Sequence, residues 1–193
     1  MKNKELEIIT AVLSNLQPDH CLEWGAGFST LYFTRMLKPS ATWLSIEHDQ
    51  AWYRAVADKN RNPQVKVVGV AANNTAFGEG EGTYDDFRDY VNYPTGSYDF
   101  ILIDGRARKD CLKRAESLVA DNGVVVVHDA NRNEYFTDAG VFKHQLLLQD
   151  HRNRRGGIWV GSKQRDLNTL LDVDFHKQVW RYQSNIAAAL FMK

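Results

Sequence analysis

Leu22-Glu23-Trp24-Gly25-Ala26-Gly27-Phe28-Ser29-Thr30 is the stretch on which the fold turns. A short apolar run from His20 ends in an acid. Two glycines follow, one residue apart, and then two hydroxyl residues able to cap a helix. Glycine lets the backbone turn tightly and lets a ligand approach with no Cβ in the way. Ser29 and Thr30 open a helix that the pattern carries through Leu37 to the break at Pro39. Strand, glycine turn and helix in that order begin an open α/β sheet. Ligands of such sheets sit outside the carboxyl ends of the strands, where the strand order reverses. A dinucleotide turn would place a third glycine near position 30, beneath a pyrophosphate. Thr30 stands there instead, and Glu23 at the strand end would repel a phosphate. Both departures favour a nucleoside ligand that carries no phosphate.

Outward from this turn, strands and helices alternate. Leu6, Ile9, Leu13 and Leu16 recur at helical spacing before the break at Gln17-Pro18-Asp19. A second strand over residues 42–46 closes on Glu47, where an acid can accept hydrogen bonds from both hydroxyls of a ribose. Asp49 caps a helix to about Lys59, and residues 65–70 form a third strand. Residues 73–97 are irregular and rich in Gly, Asn, Asp and Tyr, with a helical turn around 84–91, the pattern of a binding loop or lid. The fourth strand, 98–103, ends at Asp104-Gly105. The next helix buries Cys111, Leu112, Ala115, Leu118 and Val119. Asp121-Asn122-Gly123 reads as a turn before a fifth strand, 124–127, that ends in His128-Asp129. Near-continuous apolar strands between helices mean a parallel sheet covered on both faces. Residues 145–149 and 158–162 then read as a hairpin. A final helix carries Phe175, Val179, Tyr182, Ile186 and Leu190 on one side, either packed on the flank of the sheet or meeting a second copy in a homodimer.

The chain of 193 residues suits one domain spanning 1–193, with no internal repeat or linker. Lys plus Arg equals Asp plus Glu at 24 each, so the basic excess of a nucleic-acid binder is missing. The run His151-Arg152-Asn153-Arg154-Arg155 reads as a solvated loop. Cys21 and Cys111 sit in apolar contexts and read as buried free thiols. No signal-peptide core opens the sequence and no apolar run is long enough to span a membrane, so a cytoplasmic location is expected.

With the E-x-G-x-G-x-S/T turn, the strand-end Glu47, the Asp-Gly after strand four and the closing hairpin, residues 18–163 resemble the class I S-adenosylmethionine-dependent methyltransferases. The resemblance is nearest to the small catechol-O-methyltransferase-like branch. Within that branch, the run Leu102-Ile103-Asp104-Gly105-Arg106-Ala107-Arg108-Lys109-Asp110-Cys111 is similar to a group of bacterial members. The fold so implied is a doubly wound, mostly parallel seven-stranded sheet, Rossmann-like, with a C-terminal antiparallel hairpin and an extra terminal helix. Its cofactor half would span about residues 18–105, and the acceptor side about 73–97 and 104–140. Glu23, Gly25, Ala26, Gly27 and Ser29 would hold the methionine end of the cofactor and Glu47 the ribose. Ala72 and Asn73 would border the adenine, with His48 packing on the nucleoside.

Methyl transfer is an in-line displacement in which the protein aligns the acceptor and manages its proton. The acceptor should lie over the ends of strands four and five, among Asp104, Arg106, Arg108, His128, Asp129, Asn131 and Arg132. Ionisable groups gather in this way at active sites. His128 is the candidate general base, since its ordinary pKa lies near neutrality. Asp104 matches the family's strand-four acid, serving cofactor, acceptor or metal. Arg106 and Arg108 could grip an anionic acceptor group. Catechol-type relatives bind magnesium through an acid after strand four and an Asp-Asn pair after strand five. Here Asp104 and Asp129 match the acids and, with waters, could hold a divalent ion such as magnesium, while Ala130 takes the asparagine position and Ala107 that of the family's lysine. Phe77, Tyr84, Phe87, Tyr90 and Tyr93 either close over the acceptor or pack the irregular segment onto the sheet. The function so implied is methyl transfer from S-adenosylmethionine to an oxygen or nitrogen of a small molecule or sugar. The alternatives are an aminopropyltransferase-like enzyme and a non-catalytic module that binds the cofactor. Asp104-Gly105-Arg106-Ala107 replaces the Asn/Asp-Pro-Pro-aromatic run of base-modifying amino-methyltransferases, which also speaks against a nucleic-acid substrate.

Overall fold

The computed structural model describes residues 1–75, 78, 80–136, 139–152 and 155–191. Strands β1 (His20–Trp24), β2 (Thr42–Glu47), β3 (Val65–Gly69), β4 (Tyr98–Ile103) and β5 (Val119–His128) are parallel. β7 (Ile158–Ser162) lies antiparallel to β5 and pairs with β6 (His144–Leu148) in the expected hairpin. The sheet order is β3-β2-β1-β4-β5-β7-β6, so it reverses between β1 and β4. That reversal opens the crevice in which ligands of such sheets sit.

Side chains along a strand alternate between faces, and here both faces are apolar because both are covered. One face joins Leu22, Trp24, Ile101, Ile103, Val125 and Val127 to Tyr90 of α4 (Arg88–Asn92) and Cys111 and Leu112 of α5 (Arg108–Leu118). The other joins Cys21, Phe100, Leu102, Val124 and Val126 to Ile8, Ile9 and Val12 of α1 (Asn3–Leu16). Cys21 and Cys111 are therefore buried free thiols on opposite faces of the sheet. α3 (Gln50–Lys59) starts where expected, because Asp49 accepts hydrogen bonds from the Ala51 and Trp52 N–H groups at 2.9 Å. No helix of the described residues is long and apolar enough to cross a membrane.

Three elements depart from the sequence pattern. α2 (Phe28–Phe33) is a short α-helix continued by a 3-10 turn over Thr34–Met36, and Thr30 lies inside it with its hydroxyl taking the Gly27 N–H at 2.9 Å. The expected turn at Asp121-Asn122-Gly123 is instead a bulge inside β5, where the register against β4 shifts between Tyr98 and Phe100. Gly123 permits it: a Cβ there would lie 2.9 Å from the Asp99 carbonyl oxygen. The final helix, α6 (Val173–Phe191), packs through Trp180, which is 2% exposed. The Trp180 indole is sheltered further by Lys4 Nζ, 4.1 Å from its ring. The stripe of Phe175, Tyr182, Ile186 and Leu190 does not pack on the flank of the sheet, since all four are exposed.

Candidate active site

A cavity of about 1020 Å³ opens at the carboxyl ends of β1, β2 and β4, where the strand order reverses. Its floor is the glycine turn. Gly25 has φ +99°, a conformation that favours glycine. A Cβ there would lie 2.5 Å from the Gly105 nitrogen. The loops after β1 and β4 thus touch backbone to backbone, and Gly25 N–H donates to the Ile46 carbonyl at 2.8 Å. Gly27 is different. Its backbone is extended, and a Cβ would meet only the Trp52 indole, at 3.7 Å. Among the described residues no contact calls for glycine at 27, which lies in the cavity wall.

Glu23 does not line this cavity. It points back from β1, is fully buried, and accepts from Thr30 Oγ1 at 2.6 Å, Ser45 Oγ at 2.7 Å, Trp43 Nε1 at 3.0 Å and Ser29 Oγ. Burial pushes its pKa up to about 7 against the pull of these donors. It ties α2 to β1 and β2 and so holds the turn in shape. Ala26, Ser29, Glu47 and His48 do line the cavity. Glu47, 4% exposed, accepts from the His48 and Asp49 N–H groups at 2.9 Å, and His48 Nδ1 lies 2.8 Å from the same Oε1. Asn73 is placed elsewhere: it exchanges hydrogen bonds with Asp89 at 2.7 and 2.9 Å, tying the irregular segment to α4. Phe87 and Tyr90 are fully buried and edge-on to His48, which makes them packing residues, whereas Tyr84 and Tyr93 are exposed. Phe77 and Arg154 lie outside the described residues.

Asp104 and Arg106 line the cavity, while His128 and Asp129 stand behind it. His128 Nδ1 is 2.7 Å from Asp104 Oδ1, and Nε2 is 3.1 Å from Oε2 of Glu5, a fully buried acid on α1. Burial alone would lower the His128 pKa, but the attraction of Asp104 and hydrogen bonds to Asp104 and Glu5 push it up to about 9. For Glu5, burial works upward and is overcome by the His128 hydrogen bond, the Lys2 N–H and Arg152, which bring it to about 2. His128 is thus an imidazolium clamped between two carboxylates. With both nitrogens engaged it has no lone pair for a substrate proton, and it fits a positioning role better than that of the expected base.

Arg108 also borders the cavity, but its guanidinium is engaged by the acids and carbonyls around it. It is 8% exposed, lies between Asp104 and Asp129, and donates from Nε to the Gly105 carbonyl at 2.9 Å and from Nη1 to the His128 carbonyl at 2.6 Å. Asn131 holds the 150–156 loop, bonding the Arg155 carbonyl at 2.9 Å and Asp150 Oδ1 at 3.1 Å. Arg132 pairs with Glu81. Arg152, read as solvated, turns inward to Glu5 at 2.6 Å and to Asp150. Glu5 had escaped notice, yet its signal is present: an acid at the head of the buried stripe of α1 that continues through Ile8, Ile9, Val12 and Leu13. The donor set does not fit a divalent ion. A guanidinium already sits between Asp104 and Asp129, and among the described residues no group of three or more His, Cys, Asp or Glu could hold a metal.

The fold and this cavity define an open α/β protein with a cavity at the sheet's switch point. Residues 22–130 match the family described as Methyltransferase domain, over more than half of the chain, and the chain belongs to that family. No curated protein matches it significantly. Among solved structures it is similar to a Bacillus cereus O-methyltransferase in complex with SAH, at 14% identity and TM-score 0.59, over 84% of this chain and 82% of that one. It is also similar to a Streptomyces achromogenes O-methyltransferase involved in tomaymycin synthesis, in complex with SAM, at 16% identity and TM-score 0.56, over 86% and 82%. A methyltransferase-like protein from Silicibacter pomeroyi aligns at 19% identity and TM-score 0.57, over 92% and 95%. These likenesses establish the shared class I methyltransferase fold.

Proposed function

We propose that this protein transfers the methyl group of S-adenosylmethionine to an oxygen or nitrogen atom of a small molecule or sugar. The observation that carries the reading is the cavity wall itself. Gly27 leaves open a space that no protein atom needs, beside a nearly buried Glu47 at the end of β2. The family to which the chain belongs, and the SAM and SAH complexes of its structural neighbours, support the choice of cofactor.

In this reading the Gly25–Gly27 backbone receives the methionine end, Glu47 accepts from the ribose hydroxyls, and His48 borders the nucleoside. When bound, the sulfonium supplies a methyl group activated for in-line displacement. The protein contributes alignment. Asp104 faces the cavity, held by His128 and Arg108, and Arg106 lies beside it to meet the acceptor. The volume of about 1020 Å³ is at the upper end for a single small-molecule site and leaves room for an acceptor beside the cofactor.

The test is transfer of a labelled methyl group to a panel of hydroxyl, amine and sugar acceptors, with S-adenosylhomocysteine measured as the second product. Methylation of at least one acceptor class, lost in Asp104→Ala, is expected. Cofactor binding without transfer across the panel would favour the non-catalytic module. Transfer from the decarboxylated cofactor would favour the aminopropyl alternative.

A further inference from the structure

The acids that follow β4 and β5 have a cation between them, although Asp104 also borders the cavity. Arg108 Nη2 lies 3.6 Å from Asp104 Oδ1, and Nη1 lies 3.3 Å from Asp129 Oδ2. The rest of the guanidinium is committed as well. Nε donates to the Gly105 carbonyl at 2.9 Å, Nη1 to the His128 carbonyl at 2.6 Å, and Nη2 to the Asp104 carbonyl at 3.4 Å. The side chain is 10% exposed. Asp129 is tied on its other oxygen, which accepts the Gly156 N–H at 2.5 Å. Asp104 Oδ1 also takes His128 Nδ1 at 2.7 Å.

The backbone is arranged to make this possible. Ala107, directly before Arg108, has φ +48°, and Asp129 has φ +56°. Outside glycine such conformations are strained and persist only where surrounding contacts hold them. The left-handed step at Ala107 starts α5 abruptly and lets Arg108 fold back across Gly105. The left-handed step at Asp129 lets its carboxylate meet both Arg108 and Gly156.

We propose that Arg108 is the built-in counter-cation of this site: its guanidinium occupies the place between Asp104 and Asp129 that a divalent ion would otherwise take, and it makes the site independent of metal. Magnesium demands near-octahedral oxygen ligands at about 2.0–2.1 Å. A guanidinium does not deprotonate, and displacing this one would strand buried donors and a buried charge, a cost of several kcal/mol. A fixed fork of donors also holds a carboxylate in one orientation, which a hydrated ion does less strictly. The charge arrangement stands on its own geometry, while its bearing on catalysis rests on the methyl-transfer reading. In that context Arg108 is a positioning residue for Asp104.

Binding of Mn²⁺ alone, followed by electron paramagnetic resonance of the free ion, tests this without any turnover assay. The wild type is compared with Arg108→Met, which keeps a buried stem and drops the charge, and with Arg108→Lys, which keeps the charge. Circular dichroism monitors folding of each. The wild type and Arg108→Lys are expected to take up no Mn²⁺ at millimolar concentration. Arg108→Met is expected to gain a site at least about tenfold tighter than any wild-type binding, which Asp129→Asn then removes. Mn²⁺ bound by the wild type and lost in Asp129→Asn would overturn the proposal, whether or not Arg108→Met folds. Equal Mn²⁺ binding by the Lys and Met variants would overturn it too, because charge would not then be what closes the site. A folded Arg108→Met that gains no site would do the same.

Discussion

Glu23 and Glu47 both end strands of the same sheet, and their surroundings give them opposite work. Glu23 has four side-chain donors and no cavity exposure, and Glu47 lines the cavity. Glu23→Ala leaves Thr30, Ser45 and Trp43 without their buried acceptor, and an unmatched buried donor costs about 1–3 kcal/mol. Urea unfolding of that variant should show a loss of roughly 2–4 kcal/mol. A loss of cofactor affinity at unchanged stability would contradict the tying role. Sequence pattern showed both acids at strand ends. It could not show which way each points, because that depends on Trp43, Ser45 and Thr30 converging from β2 and α2. Arg108 was hidden for the same reason. Nothing local says that an arginine at the head of a helix folds back between two acids, one of them about twenty residues away.

At the scale of elements, the two glycines of the β1–α2 turn separate folding from binding. Gly25 combines a positive φ with a 2.5 Å approach to Gly105, whereas Gly27 has neither constraint. Gly25→Ala should destabilise by about 2–3 kcal/mol, from the strained φ and the clash together. Gly27→Ala should leave Tm within a few degrees of the wild type and still weaken cofactor binding. Calorimetry of both variants checks the contrast, and equal stability losses would refute it. Ala107→Gly should stabilise the protein by about 1 kcal/mol by relieving the left-handed strain before α5, as measured by denaturant midpoint. Strands β1, β2, β4 and β7 were legible because parallel and buried strands are short apolar runs. The bulge in β5 was not, since Asp-Asn-Gly reads equally well as a turn until its register against β4 is seen. Flank packing of the α6 stripe did not hold, because spacing reports a face and says nothing of what opposes it.

Across the whole molecule, a chain of charges links α1 to the end of β5 and to the hairpin loop: Arg152, Glu5, His128 and Asp104. The folded pKa of His128, about 9, lies above its unfolded value near 6.5. Its stabilising contribution is therefore complete below about pH 6.5 and lost as pH rises through about 9. Glu5 behaves in the opposite sense. Held near 2, it contributes above about pH 4.5 and loses that contribution as pH falls through about 2. Unfolding free energy should fall by on the order of 3 kcal/mol between about pH 7 and pH 10, and by less in Glu5→Gln, which keeps the Asp104 interactions but loses the Glu5 hydrogen bond. An equal fall in both proteins would show that the link carries no stability. The cavity that this frame supports is put to the test by calorimetric titration with S-adenosylmethionine and S-adenosylhomocysteine, beside Glu47→Ala. Micromolar binding by the wild type, weakened about 10- to 100-fold in a folded Glu47→Ala through the loss of one or two hydrogen bonds to a carboxylate, is the expected result. A folded wild type that binds neither ligand would contradict the assignment of the cavity.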